Sequence, residues 1–227
     1  FMSQTARLST VYAADEDVAV RASGDFPVLV PAWQTLARGV DGAFAAGDPW
    51  TLVSASVDFQ ATGVGAGCVV QLRKPSTVFK GSGELFAVAS AVGGSVTLRR
   101  IGMDAGLGAP AAPAGGLSDV EFLIETLAPQ LEEASFDLNR RFNIDPYVPG
   151  RSPADLLDVR DLRRACVSIV LARCYAAETR SHEGDFALKL RQAEAELAEA
   201  VARLDVRWGP LGADRQPASV FCTRIVR

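Results

Sequence analysis

The side chains in this 227-residue chain that could do chemistry are few and far apart. Its one histidine, His182, lies in the polar stretch "SHEGD" between two helical patterns. A Ser-His-Asp or Cys-His centre would have to be built on it, yet no nucleophile-bearing turn stands nearby, so it reads as a solvated turn residue. A single imidazole also rules out histidine-rich metal ligation. The four cysteines are Cys68, Cys166, Cys174 and Cys222. Cys166 and Cys174 fall on one helical pattern, about 12 Å apart along its axis, beyond the roughly 7 Å that a disulfide spans. With no C-x-x-C pair, all four read as buried, reduced thiols in a reducing compartment. The acidic run Asp15, Glu16 and Asp17 could hold a hard cation but reads as a solvated face. Glycines at 63–67 and 102–108 match neither a Walker loop nor a dinucleotide fingerprint. No catalytic residue, metal or cofactor is assigned, and the chain is expected not to be an enzyme.

What stands out instead is suited to contact. Two arginine pairs, Arg140-Arg141 and Arg163-Arg164, flank a loop carrying Phe142 and Tyr147 and rich in proline. Consecutive helical residues diverge by about 100°, so neither pair forms one patch by itself. One arginine of each could reach Asp137, Asp158 or Asp161, or meet acidic groups of a partner subunit. Phe142 and Tyr147 either pin the loop to its helices or anchor an interface. At the C-terminus, Val220–Val226 is a β-like apolar stretch after a polar spacer, and Phe221 and Ile225 are its candidate contact residues for strand addition to a neighbouring sheet.

Composition sets the frame for these features. The chain is 48% hydrophobic and 22% charged, an ordinary globular balance. Its net charge of -4 and pI near 5.1 argue against gripping nucleic acid through phosphates. No apolar run approaches the roughly 20 residues of a membrane span, and the opening residues lack the apolar core of a signal peptide. Phe1 before Met2 reads as a tag remnant or start-site artefact.

The elements that must position these residues divide near residue 116. Before it, short apolar alternations separated by glycine turns predict a small antiparallel barrel or sandwich over roughly 50–103. Its strands are expected at Cys68–Leu72, Leu85–Ala89 and Val96–Arg100, with Gly93-Gly94 as a tight turn. Residues 14–42 read as two further strands and a short helical turn around Trp33–Arg38. Residues 103–119, nearly all Gly, Ala and Pro, read as a linker. Residues 117–212 form the helical part, opening on an extended segment before 127. Helix one is expected to about Phe142, with Leu131, Ala134, Leu138 and Phe142 inward. Helix two is expected from a Ser152 cap with Pro153 in its first turn, and helix three from Asp185 to Trp208. A tail follows over 213–227. The fold class is therefore α+β: an N-terminal small β-barrel or sandwich, then a C-terminal three-helix domain with an extended tail.

The segment "LEEASFDLNRRFNIDPYVPGRSPADLLDVRDLRRACVSIVLARCYA", with "FALKLRQAEAELAEAVARLDVRW" after a spacer, resembles the head–tail connector (adaptor, or head-completion) proteins of tailed double-stranded-DNA phages and phage-like particles. In that family a first helix ends in an arginine and an aromatic. A proline-containing loop follows, then a second helix running into small residues, an exposed turn, and a third helix with evenly spaced leucines. The resemblance covers about residues 127–208; the β half departs from the compact members. It implies a virion structural protein at the head–tail junction, made in the bacterial cytoplasm. Such a protein forms a homo-oligomeric ring, usually twelvefold, between the portal and the stopper or tail-terminator protein, with DNA passing non-specifically through it. About twelve copies at -4 each would give a negative conduit to which DNA does not stick.

Overall fold

A computed structural model describes residues 10–102, 115–179 and 185–209. Six strands, β1 (Thr35–Ala45), β2 (Asp48–Val53), β3 (Val69–Lys74), β4 (Glu84–Val92), β5 (Ser95–Arg100) and β6 (Leu117–Glu125), close into an antiparallel barrel in the order β1-β2-β5-β4-β3-β6. The fold is α+β, a closed six-stranded barrel with helices packed outside it.

The barrel closes because strand alternation puts one large apolar set inside. Along β6, Val120, Phe122 and Ile124 are buried at every second position. They meet Phe44, Leu52, Phe59, Phe86 and Leu98 in a packed lumen, with the Phe59 and Phe122 rings 5.4 Å apart. β1 is long and bends to serve two neighbours, and its register with β6 shifts around Gly42. A Cβ at Gly42 would meet the Val120 carbonyl oxygen at 2.8 Å and Leu52 Cδ1 at 2.9 Å, so only glycine permits this approach.

β3 is buried on both faces. Val70 and Leu72 point into the lumen, while Val69 faces the helices and joins their core. α1 (Asp15–Arg21) meets this outer wall, and α2 (Phe26–Leu29), α3 (Ala128–Phe142) and α5 (Asp185–Arg203) pack with it around α4 (Arg160–Thr179). Their shared core holds Val18, Phe26, Leu127, Leu131, Leu138, Leu162, Cys166 and Val170. The bound at 116 does not separate the two parts. β6 lies beyond it yet closes the barrel, and α1 and α2 lie before it yet belong to the helical core. The physical reason is edge pairing: without β6, β1 and β3 would each expose a row of unpaired amides.

Several expectations are corrected. The stretch around Asp15 is a helix rather than a strand. Asp15 and Glu16 are buried, not solvated. Asp15 Oδ1 accepts the Leu127 N–H at 2.7 Å, and Glu16 pairs with Arg99 of β5. Asp17 Oδ2 accepts the Ala14 N–H at 2.8 Å and caps α1. The turn near Trp33 is a 3-10 turn over Ala32–Gln34, and β1 begins at once after it. Ser152 does cap a turn, but it is the 3-10 turn Pro153–Asp155. Leu156 then extends and bridges to Trp208, so α4 starts only at Arg160 and α5 stops at Arg203. α3 spans Ala128–Phe142, matching helix one, and is closed by Asn143 in the left-handed region. The tail, His182 and residues 103–114 of the linker lie outside the described residues.

Candidate interaction surface

Two features of the helical layer are shaped for contact. The first is the loop of residues 143–159 between α3 and α4. Its shape is fixed from within. Asp155 Oδ2 accepts from the Gly150 N–H at 3.0 Å, the Ser152 N–H at 3.0 Å and the Ser152 hydroxyl at 2.6 Å. These bonds hold the Asp155 carboxyl below the usual carboxylate range, the Ser152 hydroxyl first among them. The Asp145 N–H donates to the Arg151 carbonyl at 2.8 Å, while Asp145 Oδ1 accepts from the Tyr147 N–H at 2.9 Å. The chain beyond α5 returns to the same loop, where the Leu157 N–H donates to the Arg207 carbonyl at 2.9 Å and the Gly209 N–H to the Asp155 carbonyl at 2.7 Å. Ile144 is buried below this frame, and Tyr147 stands out of it at 81% exposure, with Val148 beside it.

The second feature is a groove of about 580 Å³ over α4, between α3 and α5. Its apolar lining comes from Leu138, Ile169, Ala172, Leu190, Leu197 and Val201. Asp137, Arg141, Arg173 and Glu194 stand around it. Arg173 is committed to α3, pairing with Asp137 at 2.5 Å and Glu133 at 3.5 Å. From Leu190 to Val201 the groove runs about 16 Å along α5. Alanines at 172 and 176 on α4 keep it open where larger side chains would fill it.

The residues singled out in the sequence distribute unevenly. Arg141 lines the groove, and Arg140 lies over the Phe136 ring at 5.9 Å on the exposed side of α3. Phe142 is half-buried against the helical core and does pin the end of α3, whereas Tyr147 pins nothing. Arg163 turns to the N-terminal segment, donating to the Tyr12 carbonyl at 3.4 Å and lying 4.0 Å from Asp17. Arg164 is exposed. The expected network through Asp137, Asp158 and Asp161 forms otherwise. Asp137 is taken by Arg173, and Asp158 by Arg160, which with its backbone N–H brings the Asp158 carboxyl down to about 2. Phe221 and Ile225 lie outside the described residues.

Sequence reasoning missed the groove, since Leu190, Leu197 and Val201 read simply as core positions of α5. It also missed Trp33, 78% exposed in its 3-10 turn. Cys166 and Cys174 are buried as expected, whereas Cys68 is only half-buried and Cys222 lies outside the described residues; Cys68, Cys166 and Cys174 are free, and burial pushes all three up, Cys174 to about 11. Among the described residues no group of three His, Cys, Asp or Glu side chains could hold a metal ion, and no helix is long and apolar enough to cross a membrane. Comparison with family models, curated proteins and solved structures gave no match.

Proposed function

We propose that this chain is a structural subunit of the head–tail connector type, in which copies assemble into a ring between a portal and a stopper or tail terminator of a phage or phage-like particle. The observation that carries the reading is the α3–loop–α4 unit. Its loop is tied from within by Asp145 and Asp155, yet it holds Tyr147 outward and exposed. A rigid, exposed aromatic of this kind is what an interface anchor requires, because little conformational entropy remains to be lost on binding.

On this reading α3, α4 and α5 act as the C-terminal three-helix assembly domain. The ring is twelvefold. Its subunits, each at -4, line a channel through which double-stranded DNA passes without specific contact. The barrel is an architectural addition, its lumen filled by Phe44, Phe59, Phe86 and Phe122. The role is structural, not catalytic, and the place is the virion.

The test is electron microscopy of the chain mixed with a portal protein from the same genome. Rings stacked on the portal support the reading. Portal particles left bare, with the chain monomeric or dimeric in the same mixture, overturn it and favour an independent oligomeric binding module.

A further inference from the structure

We infer that the groove between α3 and α5 receives the Tyr147 loop of a second copy of this chain. The contact stands on two observed shapes; only the number of copies it links rests on the ring reading above.

One molecule carries a convex and a concave apolar feature, and among the described residues neither is occupied by its own chain. The convex one is Tyr147 with Val148, between Pro146 and Pro149. The concave one is lined by Leu138, Leu190, Leu197 and Val201 and is large enough for a tyrosine ring and its neighbours. Neither shape complements itself. Joining them between copies is therefore heterologous, and a heterologous contact repeats from copy to copy until it closes a ring or runs on as a filament. Charge sorts in the same sense. Exposed Arg151 and the Asp145 carboxylate flank Tyr147, while Glu194 and Arg141 stand at the groove. An Arg151–Glu194 pair and an Asp145–Arg141 pair would frame the apolar contact as a polar rim. The loop is already ordered and Arg173 is already held by α3, so docking fixes few additional side chains.

Full-length variants test this by light scattering over a concentration series, alone and with portal present. Tyr147→Asp disables the loop, and Ala172→Trp plugs the groove from its floor, where Ala172 is half-buried. Each should raise the concentration needed for self-association at least about tenfold, the usual consequence of losing an aromatic anchor. Mixed one to one, the two variants should pair through the one intact contact and stop at dimers. Arg151→Glu and Glu194→Arg should each weaken association, and the two changes combined in one chain should restore it.

If the wild type assembles and both variants assemble equally well, the inference fails while the ring reading stands. If Tyr147→Asp alone blocks assembly and the plugged groove does not, the groove assignment is wrong. If the two variants weaken a self-association that ignores the portal, the docking holds and the connector reading falls. A wild type that stays monomeric with and without portal overturns both.

Discussion

Asp15 Oδ1 accepts a hydrogen bond from the Leu127 backbone N–H at 2.7 Å across 112 positions of sequence, fixing the N-terminal helix to the point where the last barrel strand becomes α3. Next to it, Glu16 pairs with Arg99 of β5 and accepts the Gly102 N–H at 3.2 Å, and the Glu16 N–H donates to the Gly67 carbonyl at 3.0 Å. One short helix thus clasps barrel and helical layer together. Gly67 makes room for it: its φ is +88°, and a Cβ there would lie 2.7 Å from that of Ala14.

The clasp has a pH signature. Burial pushes the Asp15 carboxyl from 3.8 up to about 6 against the opposing hydrogen bond from Leu127. A folded-state value above the unfolded one means that stability is fully present below pH 4 and is lost as pH rises through about 6. The loss is on the order of 2–3 kcal/mol. Asp15→Asn keeps the acceptor and removes the charge. Its melting temperature should match the wild type near pH 4 and exceed it near pH 7. A variant that falls further below the wild type at pH 7 than at pH 4 contradicts this.

Barrel closure depends on the approach of β1 to β6 at Gly42. Gly42→Ala drives a methyl group into the Val120 carbonyl and Leu52, and should cost about 1–3 kcal/mol in denaturant unfolding. Ala43→Gly, one residue on and half-buried, lacks that clash and should cost less than about 1 kcal/mol. Equal effects at the two positions would show that the close approach is not the cause.

Loop rigidity is separable from global stability. Asp155→Ala removes the acceptor shared by Gly150 and Ser152. Tryptic cleavage after Arg151 should accelerate several-fold while the thermal midpoint hardly moves, because the hydrogen bonds lost with Asp155 run only within the loop. Unchanged cleavage would mean the loop is held by something other than Asp155.

Thiol labelling reports the helical core. Cys166 and Cys174 are buried, and desolvation keeps both thiols protonated at neutral pH. A water-soluble disulfide reagent at pH 8 should reach them only on unfolding. Fast native labelling of either would contradict the packing of α4 against α3 and α5.

The parts legible in the sequence were those governed by local signals. Gly93-Gly94 forces the β4–β5 hairpin, Pro129 sets the start of α3, and the spacing of Leu131, Ala134 and Leu138 gives its buried face. Misread parts were decided at long range. The acidic triplet is helical, with Asp15 and Glu16 buried because the Leu127 amide and Arg99 lie opposite them. The Ser152 cap makes only one turn because Leu156 pairs with Trp208 instead of continuing a helix. The extended segment expected before residue 127 was read correctly, and it is strand β6 because β1 and β3 leave a gap for it. Of the candidate surface, Tyr147 was visible as a residue. The groove was not, since it exists only where α3 and α5 flank α4.

The central claim is assembly, and native mass reads it directly. Light scattering of the full chain, over a range of concentrations and with the cognate portal added, should show a jump to a ring of about twelve copies when the portal is present. A mass that stays at one or two copies under every condition would contradict the account.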